Sequence, residues 1–203
     1  MNTITRRIKL LLSLGMVGLC ALTSCNKNSP TGPNPIGPQI IPLAVGNTWQ
    51  YDGFEYDTVG VVTMHFGGIE FVRQDSTVFG HSYYLYEGQG GLCANTDSGM
   101  IRILPNLSGV YSFLVYKYPT RLGELYQSDS LTVVVSSVDS LLQTTAGSFH
   151  CIKYAFTYHG FKYFDDYVCP GIGRIEYVAY YVNPASARGQ IGIQAQLQQY
   201  QLN

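Results

Sequence analysis

The sequence predicts an all-β fold: a single antiparallel, meandering, curved sheet, either a half-barrel or an open barrel, with little helix. Hydrophobicity alternates with a period of two from Trp49 onward, and no window of a dozen residues carries an amphipathic-helix pattern. Charged residues make up only 12%, about half the usual ~25%. Tyrosines (17), glycines (22) and small polar residues take their place, the composition of half-buried strands joined by tight turns. Gly80, Gly109, Gly147, Gly160 and Gly171 punctuate the alternating runs as turns. At 203 residues the chain has room for one domain with a sizeable core, and hardly for two.

The chain opens on a different pattern. Arg6, Arg7 and Lys9 form a basic cluster, and an apolar run follows from Leu10 to Leu22. A run of that length is too short for the ~30 Å hydrocarbon core of a membrane, which needs about 20 residues, and reads as a secretory signal over 1–24. It ends in Leu22-Thr23-Ser24-Cys25, which resembles the lipobox of bacterial lipoproteins. The resemblance implies a diacylglyceryl group on Cys25, cleavage before it and acylation of the new amino terminus, for instance by palmitate. Several chains on one cysteine give stable membrane anchoring, where a single chain is marginal. The alternative is a plain signal peptide with an incidental cysteine. Asn26, rather than Asp, follows the cysteine and favours the outer membrane, and Asn26-Lys27-Asn28-Ser29 lacks the acidic residues of surface export, which favours the periplasmic face.

Residues 25–41 read as the lipidated cysteine and a tether. Pro30, Pro33, Pro35, Pro38 and Pro42 lie in or beside it with Gly32 and Gly37, a composition that favours extended polyproline II over a packed core. The β domain is expected over 42–203. Candidate strands are 48–56, 59–66, 69–79, 82–87, 100–104, 110–117, 130–144, 148–158, 162–169, 175–181 and a last run from 191. In 148–158, Ile152, Tyr154, Phe156 and Tyr158 share one face. In the last strand Ile191, Ile193, Ala195 and Leu197 alternate with glutamines until the phase slips at Gln198-Gln199, a β-bulge signal. Trp49, the only tryptophan, is expected to plug one end of the sheet.

Pro42-x3-Gly46-x2-Trp49-Gln50 is echoed by Pro119-x3-Gly123-x2-Tyr126-Gln127, 77 residues later. Each copy leads into a β-rich stretch, so the echo predicts two meandering halves of one sheet.

After the leader and Cys25, Cys93, Cys151 and Cys169 remain. A hairpin turning over His159-Gly160-Phe161 would pair Tyr158 with Lys162. Every further pair then adds to 320, as 151 and 169 do. Opposed residues of an antiparallel ladder have Cα separations of about 4.5–5.5 Å, within reach of a disulfide. Cys151–Cys169 is therefore the favoured bridge. A two-residue turn would shift the register by one; Cys93–Cys151, Cys93–Cys169 and three free thiols stay open. Cys93 follows the glycine-rich Gly88-Gln89-Gly90-Gly91, read as a flexible loop, with no neighbouring cation to activate it.

The sequence offers no catalytic constellation. His65, His81, His150 and His159 show no metal-ligand spacing, so no metal or cofactor is expected. Gly80-His81-Ser82-Tyr83-Tyr84 lacks the closing glycine of a nucleophile elbow. Asp165 and Asp166, adjacent on a strand, point to opposite faces and cannot form a dyad. Net charge is −1, and −4 once the leader is removed. With no basic cluster past the first nine residues, nucleic acid is excluded as a partner. The aromatics are more informative. Tyr84, Tyr86, Tyr154, Phe156, Tyr158 and Tyr177 are candidates to line a groove or an interface. They serve cross-strand packing on one reading, a concave apolar-ligand site on another, and protein contacts on a third.

Pro42-Leu43-Ala44-Val45-Gly46-Asn47-Thr48-Trp49, Thr145-Ala146-Gly147-Ser148-Phe149-His150-Cys151 and Pro170-Gly171-Ile172-Gly173-Arg174-Ile175 together resemble the P-L-x-x-G-N-x-W, A-G-x-F-x-C and P-G-x-G-x-I motifs of uncharacterised bacterial envelope lipoproteins, many of them from Bacteroidota. Their domain is similar to the curved half-barrels of lipoprotein-localisation carriers. The resemblance spans about residues 41 to 182 and rests on turns; Tyr126 departs from it where a tryptophan is expected. It implies the fold, an envelope location and an apolar groove, and brings no catalytic residue with it. The expectation is a non-catalytic, lipid-anchored outer-membrane protein facing the periplasm, binding a lipid or other apolar ligand on a concave sheet. The alternative is a structural or assembly protein of the envelope that contacts a protein partner and holds no small ligand.

Overall fold

The alternating runs fall in strands, and the computed structural model of the chain describes residues 39–78, 81–87, 90–106, 109–181 and 189–203. In chain order the strands are β1 (Thr48–Tyr56), β2 (Val62–Val78), β3 (His81–Tyr86), β4 (Gly91–Thr96), β5 (Gly99–Asn106), β6 (Gly109–Lys117), β7 (Leu125–Ser128), β8 (Leu131–Thr144), β9 (Gly147–Tyr158), β10 (Phe161–Cys169), β11 (Gly173–Tyr180) and β12 (Ile191–Gln201). They form one antiparallel sheet, ordered β6-β5-β4-β3-β2-β1-β12-β11-β10-β9-β8-β7. The predicted fold class is the observed one. The signal, Cys25 and most of the tether lie outside the described residues.

The order resolves into two six-stranded meanders, β1–β6 and β7–β12, zipped by β1 against β12. The echoed motif opens each. Gly46 donates its N–H to Val72 O and Val72 donates to Asn47 O; Gly123 donates to Val135 O and Val135 to Glu124 O. Both glycines take a positive φ, 91° and 77°, which a side chain would resist. The echo is thus one turn used twice, each time clasping the second strand of its meander.

Several elements differ from the sequence reading. Residues 59–66 and 69–79 were expected as separate strands, yet β2 runs unbroken through Gly67 and Gly68, which pair with Asp52 and Tyr51. Neither glycine takes a positive φ, so neither makes a turn. Two strands were unforeseen: β4, whose small residues show no alternation, and β7, only four residues long. Cys93 therefore lies buried in a strand and not in a flexible loop. The packed unit also begins earlier than Pro42. Ile40, Ile41 and Leu43 are buried, Gln39 O accepts a hydrogen bond from Gly171 N–H, and Ile41 O accepts one from Asn95 Nδ2. Apolar side chains among the prolines thus convert the end of the predicted tether into part of the core.

Curvature is built by bulges and by β2. Its first part pairs with β1, and from Val72 it pairs with β3. The phase slip predicted at Gln198-Gln199 is a bulge: Gln50 pairs with Gln199 and Tyr51 with Leu197. The sheet curls until β6 meets β9 and β10 across the interior, where Tyr116 lies 5.1 Å from Tyr154, ring to ring.

The barrel does not close by backbone ladder. No ladder joins the described residues of β6 and β7. Instead the Tyr126 hydroxyl donates to Val115 O (2.8 Å) and accepts from Lys117 N–H (3.3 Å), while the Tyr154 hydroxyl donates to Lys117 O (2.7 Å). Lys117 Nζ also meets Glu124 Oε1 at 2.6 Å. Tyr126→Phe strands two backbone groups at this seam and is expected to cost about 1–2 kcal/mol, read as a lower urea midpoint; an unchanged midpoint would assign closure to other contacts. Hydrogen bonds from Lys117 and Thr120 hold the Glu124 carboxyl down at about 2. A carboxylate with a depressed folded pKa contributes stability above its unfolded pKa and loses it as pH falls through the folded one. The stability advantage of the parent over Glu124→Gln should therefore be complete above about pH 4.5, shrink as pH falls toward 2 and be lost below that.

Candidate functional site

The interior is organised around one guanidinium. Gly173 opens β11 with φ 118° and lies against the Trp49 indole, where a Cβ would come 2.9 Å from Nε1. The next residue, Arg174, reaches inward. Its Nη2 pairs with Glu70 Oε1 from β2, and its Nη1 lies 3.5 Å from Asp166 Oδ1 of β10. The Tyr86 hydroxyl donates to Glu70 Oε2 (2.5 Å), and the Tyr116 hydroxyl donates to Asp166 Oδ2 (2.6 Å). The Tyr51 and Tyr177 rings flank the guanidinium at 5.7 and 5.2 Å, within cation–π range. Side-chain exposure is 13% for Arg174 and Glu70 and 2% for Asp166.

Two carboxylates thus share one cation inside the sheet. Burial raises the Asp166 pKa against the opposing pull of Arg174 and Tyr116. Burial also works against the Arg174 charge, but Glu70 and Asp166 outweigh it and keep the guanidinium protonated. Burial, then Glu70, raise the Tyr86 hydroxyl well above its ordinary value, so it acts as a neutral donor. The cluster fixes how strands from the two halves meet, since β2 belongs to one and β10 and β11 to the other. The sequence reading missed it. The available signal was the scarcity of charge: in a chain with so few ionisable residues, an arginine inside an alternating strand calls for a partner.

The six aromatics proposed as a groove are not brought together as one. Tyr86, Tyr154 and Phe156 are fully buried, Tyr84 and Tyr177 half-buried, and Tyr158 is exposed at the end of β9. Trp49 is buried as expected, its Nε1–H donating to Ile172 O at 2.6 Å and its ring edge-on to Tyr86 at 5.5 Å. Phe156 stacks on Phe164 at 4.1 Å. Among the described residues, these side chains occupy the interior face for which the carrier resemblance implied a groove.

Comparison with known proteins adds two loose likenesses of fold. The chain is similar to the crystal structure of a Bacteroides fragilis protein inferred to be exported, with a YmcC-like fold, at 13% identity and a TM-score of 0.41, over 82% of this chain and 100% of the other. It is also similar to an inferred lipoprotein from Parabacteroides distasonis, at 14% identity and a TM-score of 0.41, over 81% of this chain and 99% of the other. No protein-family model and no curated protein sequence matches the chain.

The other candidates separate as geometry requires. Asp165 and Asp166 point to opposite faces, as read from the sequence. Asp165 receives Lys153 Nζ (3.0 Å), Lys162 Nζ (3.1 Å) and the Tyr180 hydroxyl (2.9 Å), while Asp166 faces Arg174. Glu176, also buried, accepts from the side-chain amides of Gln194 and Gln196. His65 pairs with Asp52 and His150 with Asp139 at separate, exposed positions. Cys93, Cys151 and Cys169 are unbridged in this structure, and burial pushes the thiols of Cys93 and Cys151 up to about 12.

Exposed apolar side chains are spread over the barrel, Ile69, Leu122, Leu125 and Leu141 among them, and two hairpins at one end carry several each. In the antiparallel meander, the β1–β2 and β9–β10 turns fall at the same end of the barrel. Val59, Val61, Val62 and Met64 are exposed on the first, and Val59 keeps 77% of its surface. Tyr158, Phe161 and Tyr163 are exposed on the second, each near 40%, with Tyr158 and Tyr163 6.3 Å apart ring to ring. The described chain begins at the opposite end, where Gln39 meets the β10–β11 turn.

Proposed function

We propose that this chain is a non-catalytic lipoprotein of the cell envelope, anchored through Cys25 in the outer membrane and facing the periplasm, that works through its outer surface. The filled interior is the observation that carries the reading. Trp49, Tyr86, Tyr116, Tyr154 and Phe156 are fully buried around the Arg174, Glu70 and Asp166 cluster, so among the described residues the interior is occupied by the protein's own side chains. The apolar and aromatic hairpin ends point away from the tether attachment, which suits contact with an envelope protein across the reach of the linker.

The anchor is tested by growing cells on a labelled fatty acid. Wild-type chain should carry the label into the outer-membrane fraction, and Cys25→Ser should not; an unlabelled wild type would remove the anchor. The surface reading is tested by native mass spectrometry of the detergent-free Cys25→Ser protein after incubation with envelope lipids. A bare protein mass is expected. A reproducible adduct that dissociates as a lipid would return the carrier reading.

A further inference from the structure

The β9–β10 hairpin reaches its predicted register by an unpredicted route. Its turn has two residues, not three: His159 and Gly160 both take positive φ (49° and 80°), and Tyr158 pairs with Phe161. That alone would set the pairing one residue off. A bulge between Lys162 and Phe164 restores it, so that Phe156 faces Phe164 and Ile152 faces Val168. Continuing that register by one step sets Cys151 opposite Cys169, whose thiols in this structure donate instead to Phe149 O and Pro170 O. Opposed residues share a face, and both cysteines pack on the same core cluster. Cys93 has no such partner, because its ladder neighbours are Tyr84 and Arg102.

We propose that Cys151 and Cys169 are joined by a disulfide in the mature protein, clamping the turn on which the tether end of the barrel rests. The exported compartment it requires rests on the envelope reading above. The step removes one hydrogen from each thiol and forms one S–S bond. The two electrons and two protons pass to a disulfide of a protein thiol-oxidant, which leaves as a dithiol. It takes place during folding, because the finished core buries Cys151 completely. Cys169 ends β10, and the turn after it makes two anchoring contacts. Ile172 O accepts the Trp49 indole N–H, and Gly171 N–H donates to Gln39 O, where the tether meets the domain. A bond at 151–169 therefore holds the turn that carries both the largest core side chain and the point of attachment to the anchor.

The test expresses the full chain with its leader in a Gram-negative host, quenches cells in acid, alkylates free thiols and digests with trypsin. Fragment 122–153 should appear joined to fragment 163–174, with Cys93 alkylated in fragment 74–102. In parallel, the purified full chain is reduced, unfolded and refolded in detergent with glutathione disulfide. Cys151 and Cys169 alkylated in both arms overturns the proposal. Alkylation in cells with linkage on refolding upholds the pairing and overturns the exported location instead. Replacing both cysteines with serine should lower Tm by roughly 6–12 °C in non-reducing buffer, with no further fall on adding reductant. A wild-type Tm insensitive to reductant and equal to that of the double variant would also overturn the clamp.

Discussion

Arg174→Met will unfold about 3–5 kcal/mol more easily than the wild type at pH 7.5, and part of that loss will return at pH 5. The substitution keeps the length of the side chain and removes the cation that Glu70 and Asp166 share. Both carboxylates are then buried with tyrosine hydroxyls and each other, and burying an unpaired charge costs more than its hydrogen bonds return. Burial already raises the Asp166 pKa with Arg174 in place, and removing the cation raises it further. A carboxyl whose folded pKa exceeds its unfolded value is penalised above the folded pKa. The penalty fades as pH falls through that value. Urea midpoints at the two pH values separate this from packing loss: a deficit of equal size at both would mean that Arg174 acts through its aliphatic stem and its ring contacts alone.

Trp49→Ala will cost about 3–5 kcal/mol, with no dependence on pH between 5 and 7.5. The indole is fully buried, meets Tyr86 edge-on and closes the end of the barrel beside Ile40, Ile41 and Leu43. It also supplies the hydrogen bond to Ile172 O that holds the β10–β11 turn. Trp49→Phe keeps much of the volume and loses that bond, so it should fall between the two. Gly173→Ala attacks the same contact from the other side, at a φ of 118° and a 2.9 Å approach to the indole nitrogen. An unchanged urea midpoint for Trp49→Ala would remove the residue from the core.

The surface reading has its own signature. Tyr158→Ser with Tyr163→Ser should change stability by no more than about 0.5 kcal/mol per site, since both rings are exposed and carry no buried network. The same variant should lose any partner that cross-links to the wild-type protein in intact cells. Retention of that partner would move the contact elsewhere on the barrel.

Much of the fold could be read from local pattern. Strand alternation is a property of neighbouring residues, because successive side chains point to opposite faces whatever lies beyond them. That is why the Gln198 bulge, the split of Asp165 from Asp166 and the turns at Gly147 and Gly171 all appear where the pattern puts them. The paired turns at Gly46 and Gly123 were legible for the same reason, and they divide the sheet into its two halves. Short strands escaped. Four residues of β7 and the small side chains of β4 offer too few alternations to register, so Cys93 was assigned to a loop. Gly67 and Gly68 misled in the other direction, since a glycine signals a turn only when its backbone adopts one.

The candidate site was illegible for a different reason. Glu70, Asp166 and Arg174 come from three strands, and Tyr51, Tyr86 and Tyr116 of the same cluster come from three more. Their convergence depends on how far the sheet curls, and curl is a sum of twist, bulges and packing over all twelve strands. The sequence by itself therefore determined strands, turns and the two halves. Only the tertiary structure decided whether the concave face would stay open. Tyr116 of β6 crosses to Tyr154 and Asp166, Tyr126 seals the seam, and the groove becomes a core, because contacts between residues distant in sequence leave no period in the chain that makes them.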